Sequence, residues 1–263
     1  MIDLGVATWC LDVPGPNALY KAAELGLKTV QIDSGKPDSK YYIGKENVLR
    51  EYRKISSISK VSIVGIGAKF VNDIGMIHDK GSSMNRNCQI IISDTIKAAV
   101  YLNTDFVFFP SFRKSEIRSN ESLHNTGLLL KQACIQAAPY GIDVGSENSL
   151  DWKTNWNLIN IVEKANFRIL VDSYNPLIFG HSVSHILKNL TPYIAKQIHV
   201  KDGVDSKMGT VPLGMGEGRF FETIRTIKSI NFEGILLLEN KYFSAFKNYV
   251  KQDIETLRFS LNS

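Results

Sequence analysis

Residues 171–240 read VDSYNPLIFGHSVSHILKNLTPYIAKQIHVKDGVDSKMGTVPLGMGEGRFFETIRTIKSINFEGILLLEN, and three short apolar runs at or within this stretch each stop at a side chain able to bind a metal ion. Residues 169–171 lead to Asp172, 194–198 to His199 and 234–238 to Glu239; just upstream, 141–146 leads to Glu147. Three carboxylates and one imidazole suit a divalent ion, Mn²⁺ or Mg²⁺ first and Co²⁺ or Zn²⁺ after them. The four residues lie 25, 27 and 40 positions apart, too far for a zinc finger or an EF-hand loop and about one strand-plus-helix unit per step. Side chains spaced in this way meet where successive parallel strands deliver their ends, at the carboxyl-terminal mouth of a β/α barrel. A lone strand-end carboxylate or histidine is as readily a solvated or core residue. Four in series point to one metal site with Glu147, Asp172, His199 and Glu239 as ligands.

The same alternation runs through the whole chain. Short, often β-branched runs at 4–9, 29–33, 62–70, 105–112, 142–148, 167–175, 195–202 and 235–240 read as strands. Segments with helical spacing separate them, near 17–25, 46–59, 84–102, 124–139, 152–165, 182–191, 219–230 and 244–260. Asn17 precedes the first helix and Gly26 ends it, Gly141 follows the fourth, and Asp151 is placed to cap the fifth. Eight alternations favour a closed (β/α)₈ TIM barrel over an open sheet, and 263 residues match the ~250 typical of one such domain, taken here as 1–263. The longer loops, 34–45, 71–83, 112–123 and 202–217, all follow strands, on the face where the four ligands gather.

Composition narrows the function classes. With 44% hydrophobic and 22% charged residues the chain can bury a large core. A net charge of +5, scattered along the sequence, gives no indication of a nucleic-acid partner. Cys10, Cys88 and Cys134 are odd in number and lack CxxC spacing, as expected of free thiols in the cytoplasm. The first ten residues lack the features of a signal peptide, and no run of ~18 apolar residues could span a bilayer, so no membrane association is expected. Association with further copies of the chain stays open.

Several motifs in this order resemble the xylose isomerase-like TIM barrels, a family of sugar isomerases, ketose 3-epimerases, inosose dehydratases and endonuclease IV. The resemblance rests on Glu147 closing the fifth strand, Asp172 closing the sixth, the run His199-Val-Lys-Asp202, the loop Pro212-Leu-Gly-Met-Gly-Glu-Gly218, and Leu238-Glu239. It implies that Glu147 and Glu239 bind the metal and also serve as acid and base on opposite faces of a carbon next to a carbonyl. It further implies a sugar or polyol substrate and isomerase or epimerase activity. A dehydratase on a keto-polyol and a non-catalytic sugar-binding protein are the alternatives. An endonuclease IV-like site needs a trinuclear zinc centre with many more histidines than the five present.

The chain departs from the family's usual residues at several positions. Asn175 stands where the epimerases often carry histidine, Asp205 where they carry arginine, Lys153 where they carry glutamate, and Gln31 replaces a glutamate of the second strand. Substrate contacts are therefore expected to differ, with Trp9, Lys69, Asn175, Lys201 and Arg219 as candidates. Trp9 is a candidate apolar wall for a sugar ring and Lys69 a contact for an anionic group. Lys201 is expected to face the mouth only through the geometry of its strand's end. His181 and His185 have the spacing of a helix-face pair away from the mouth. The loop 214–218 feeds a helix beginning near Arg219, an arrangement suited to phosphate. Glu217 and the lack of an Arg/Lys clamp in that motif instead favour a free sugar or polyol.

Overall fold

The computed structural model, which describes residues 2–262, closes eight parallel strands into a barrel. The strands are Ile2–Ala7, Thr29–Asp33, Ser62–Gly67, Phe106–Pro110, Asp143–Glu147, Phe167–Asp172, Ile194–Val200 and Gly234–Leu238. The first pairs with both the second and the eighth, Val6 lying opposite Val30 on one side and Leu238 on the other. The outer helices are Ala18–Glu24, Glu46–Ser59, Ser83–Leu102, Asn120–Ala137, Trp152–Val162, Val183–Asn189, Phe220–Ser229 and Tyr249–Asn262. This is a single (β/α)₈ barrel. Among the described residues no helix is long and apolar enough to cross a membrane.

Alternation along the strands sets what fills the barrel. Phe106 and Phe108 of the fourth strand point inward with ring centroids 6.2 Å apart, and with Leu170 and Ala195 they form an inner cluster against which Trp9 packs. Their neighbours on the third and fifth strands are glycines. A Cβ on Gly67 would run into the Phe108 ring and one on Gly145 would sit 2.5 Å from Phe106, so these glycines provide the room for two large rings. Val107 and Phe109 face outward and are equally buried under the helices, which accounts for the unbroken apolar reading of this strand.

The strands end earlier than their apolar patterns suggest, because the chain keeps burying side chains after it leaves the sheet. Trp9 lies in a 3₁₀ turn at Thr8–Cys10, and residues 173–175 have left the sixth strand. The fourth helix begins at Asn120, before the periodic run, because Ser119 and Ser122 form a reciprocal capping box. Asp151 caps the following helix through the Thr154 amide, at 2.8 Å. Asn17 makes no such bond, being the last residue of a 3₁₀ turn. His181 precedes the helix that contains His185, whose cap is Ser182, so the two histidines do not form a helix-face pair. The loop after the seventh strand contains an unforeseen hairpin, Gly203–Val204 against Lys207–Met208.

Candidate metal centre

Four successive strand ends supply the site. Glu147 and Asp172 are the last residues of the fifth and sixth strands, His199 is the penultimate residue of the seventh, and Glu239 directly follows the eighth. Register aligns them, since Asp172 pairs with His199 and the Glu239 amide donates to the Val200 carbonyl at 2.9 Å. One ligand atom from each lies within 4.8 Å of all the others. Donors on opposite sides of an ion held at ~2.0–2.4 Å are ~4–4.8 Å apart, so the cluster has the span of a single coordination sphere.

His199 is fully buried and oriented from below. Gln31 donates from Nε2 to Gln197 Oε1 at 2.6 Å, which leaves Gln31 Oε1 as the acceptor for His199 Nε2–H, also at 2.6 Å. That network assigns the tautomer and leaves Nδ1 for the mouth, 3.3 Å from Glu147 Oε1 and 3.3 Å from Glu239 Oε2. A hydrogen-bonded second nitrogen is the usual support of a metal-ligating histidine. In the sequence Gln31 stands out only as a departure from the family's second-strand glutamate, and Gln197 not at all, although Gln197 lies two positions before His199 and so on the same face of its strand.

Glu239 accepts Trp9 Nε1–H at 2.9 Å through Oε1 and Lys201 Nζ at 2.9 Å through Oε2. Glu147 Oε1 receives a longer bond from Asn175 Nδ2, 3.3 Å. Asp172 Oδ1 accepts the amides of Tyr174 and Asn175 at 2.8 and 2.6 Å. Its Oδ2 lies 3.0 Å from Lys201 Nζ yet makes no hydrogen bond, and Asn175 Oδ1 is likewise buried without one. Lys201 needs no special strand-end geometry to be here, since residues two apart on a strand share a face.

Charge explains the protonation states. Burial disfavours a charged His199, but Glu239 and Glu147 outweigh it and push the imidazole up to about 10. Burial raises Glu239 as well, and Lys201 and His199 more than reverse this, holding it well below the usual carboxylate range. Asp172 touches the same ammonium, but burial dominates there and pushes it up to about 6. The difference arises because Glu239 has Lys201 and His199 both attracting and hydrogen-bonding its carboxylate, whereas Asp172 also feels the repulsion of Glu239 and Glu147. Burial would lower Lys201, and Asp172, Glu239 and Glu147 hold it above its ordinary value. With a neutral imidazole, three carboxylates and one ammonium leave two negative charges, which a divalent cation balances. Donor set, span, the Asp172 oxygen without a hydrogen bond and charge all fit such an ion.

The glycine loop has a different job. Asp202, fully buried, accepts the amides of Gly203, Gly214, Gly216 and Gly218 at 2.8–3.0 Å. Any Cβ on Gly216 would strike this carboxylate, and one on Gly218 would lie 2.6 Å from it. An internal carboxylate therefore occupies the nest of amides that the sequence offers to phosphate. Arg219 beyond it is exposed, 3.8 Å from Glu222, and is absent from the lining of the mouth. A cavity of about 540 Å³ opens above the metal cluster, and Trp9, Lys69, Asn175 and Lys201 line it together with Glu147 and Glu239. Lys69 covers the Trp9 ring at 4.6 Å.

The chain is 27% identical over 97% of its length to 2-epi-5-epi-valiolone 7-phosphate 2-epimerase of an Actinoplanes species, covering 93% of that protein. Its fold matches the structure of an L-ribulose 3-epimerase with a TM-score of 0.80, at 14% identity over 100% of this chain and 95% of the other. It also matches a xylose isomerase-like TIM barrel/4-hydroxyphenylpyruvate dioxygenase fusion protein with a TM-score of 0.78 and 17% identity, over 98% of this chain but only 42% of that longer one. The model of one family, described as xylose isomerase-like TIM barrel, matches residues 19–259, and the chain belongs to that family.

Proposed function

We propose that this protein is a metal-dependent epimerase or isomerase of a sugar or sugar-like polyol, with Glu147 and Glu239 exchanging the proton next to a carbonyl. The observation that carries this reading is the convergence of two glutamates, an aspartate and a histidine on one point at the floor of the cavity. The relative that epimerises 2-epi-5-epi-valiolone 7-phosphate supports the reaction class. Glu147, Asp172, His199 and Glu239 would hold the ion, with Mn²⁺ or Mg²⁺ best suited to a site so rich in oxygen. Bound there, a divalent cation polarises a carbonyl and acidifies the adjacent C–H.

The chain's own residues then handle the proton. Glu239 is kept ionised by Lys201 and steered by Trp9, while Glu147 is held more loosely through Asn175. A carboxylate on each side of one carbon removes the proton from one face and returns it to the other, which inverts the centre. Asn175 lines the cavity wall beside Glu147, which it holds through Nδ2. The test is incubation with substrate in D₂O. Deuterium is expected at the carbon next to the carbonyl, with exchange abolished in Glu147→Gln and Glu239→Gln. Isomer formed without solvent exchange would indicate a hydride shift and remove the two-carboxylate mechanism.

A further inference from the structure

We infer that the cavity contains an anion subsite, built by Lys69 and Arg113 at the ends of the third and fourth strands, that takes the phosphate of a phosphorylated keto-polyol. The inference deepens the proposed function and rests on it for the identity of the reacting end. The metal ligands come from strands five to eight, and in an eight-stranded barrel the third and fourth strands lie across the mouth from the seventh and eighth. Lys69 and Arg113 line the same cavity as Glu147 and Glu239. A ligand with its carbonyl over the cluster thus extends its far end toward two cations.

The loops that carry these cations are fixed to one another. Asn72 Oδ1 accepts the Phe112 amide at 2.8 Å, and Ser115 Oγ donates to the Val71 carbonyl at 2.7 Å while accepting the Met76 amide at 2.9 Å. Asp73 holds Arg113 through Oδ1 at 3.0 Å and Lys36 through Oδ2 at 3.1 Å. Arg113 meets Asp73 through Nη1, and a guanidinium with five N–H donors can serve a second anion beside a first. Lys69, half-buried, forms no ion pair among the described residues and rests instead on the Trp9 ring. The other carboxylates near this wall are Glu116, paired with Arg118 at 2.6 Å, and Asp33, which the Lys69 ammonium helps to keep ionised. Lys36, Lys69 and Arg113 against Asp73 and Asp33 still leave a net positive rim, while the amides of the glycine loop are already used by Asp202. Phosphate selectivity therefore resides on the side of the mouth opposite that loop.

The experiment compares the affinity of the Mn²⁺-loaded protein for 2-epi-5-epi-valiolone 7-phosphate and for its unphosphorylated counterpart by calorimetry. The ester is expected to bind at least tenfold more tightly, about 1.4 kcal/mol, and the ratio of the two affinities should fall at least fivefold in Arg113→Gln and in Lys69→Met, with Lys69→Arg restoring it. Arg113 is largely exposed, so its variant tests the subsite without disturbing the core. An ester preference below threefold, a ratio unchanged in both variants, or no binding of either compound would overturn the inference. D₂O exchange on the same pair separates it from the proposed function. A phosphate preference without exchange leaves the subsite standing and rejects the epimerase, and exchange without a phosphate preference does the reverse.

Discussion

His199 shows how much of the site depends on one buried hydrogen bond beneath it. Its Nε2–H has a single acceptor, Gln31 Oε1, and Gln31 is itself pinned by Gln197. Replacing Gln31 by leucine keeps the volume but frees the imidazole to rotate and strands its N–H. We expect Gln31→Leu to weaken Mn²⁺ binding by about 10–100-fold with the barrel intact, as loss of such supporting partners generally does. Titration against a metallochromic chelator measures this, and unchanged affinity would show that the carboxylates alone orient the ion. A second expectation concerns protons. The folded His199 has its pKa raised to about 10, so in the metal-free protein its charge adds stability that is complete below its unfolded value and disappears as pH rises through about 10. An ion at Nδ1 must displace that proton. Metal binding at neutral pH should release on the order of one proton, and affinity should climb as pH rises toward 10. Calorimetry in buffers of different ionisation enthalpy would detect the release, and a buffer-independent heat would refute it.

At the scale of elements, the loop after the seventh strand is organised by an acid that the strand itself supplies. Asp202 gathers four amides, its own amide donates to Asn240 Oδ1 at 2.9 Å, and Asn240 continues to Asp253 of the last helix at 2.7 Å. Asp202→Asn would turn an amide N–H₂ toward donors, and an unsatisfied buried donor costs about 1–3 kcal/mol. Chemical denaturation should show a loss of that size, with no phosphate bound at this loop in either protein. This element also marks how far the sequence could be read. The strand-end cluster was legible because β periodicity and chemistry coincide at Glu147, Asp172, His199 and Glu239. The 212–218 loop was legible as a glycine nest but not by its occupant, since the amides and the carboxylate that fills them are separate in sequence and only the fold brings them together. Arg113 was missed for a similar reason. Nothing around it forms a motif, and its partner Asp73 lies on another loop.

For the whole molecule, the balance of buried charge at the mouth ties metal binding to stability. Three carboxylates and Lys201 are gathered at side-chain exposures of 11% or less, a concentration of like charge that burial alone disfavours. The barrel tolerates it through aligned strand registers beneath, where Phe106 and Phe108 fill the interior and leave the ligand backbones little freedom to move. A cation that binds only the folded chain should therefore stabilise it by mass action, by ~2.7 kcal/mol at a hundredfold excess over the dissociation constant. For a chain of this size each kcal/mol moves the melting temperature by ~2–4 °C, so chelation should lower it by about 5–10 °C. Scanning calorimetry with and without a chelator tests this, and His199→Ala identifies the site responsible. The variant lacks one ligand but also one buried positive charge, so its chelated form should melt below the chelated wild type while responding little to added Mn²⁺. A wild-type melting temperature indifferent to chelation, or a His199→Ala protein that still gains the full shift from Mn²⁺, would place the ion somewhere other than this cluster.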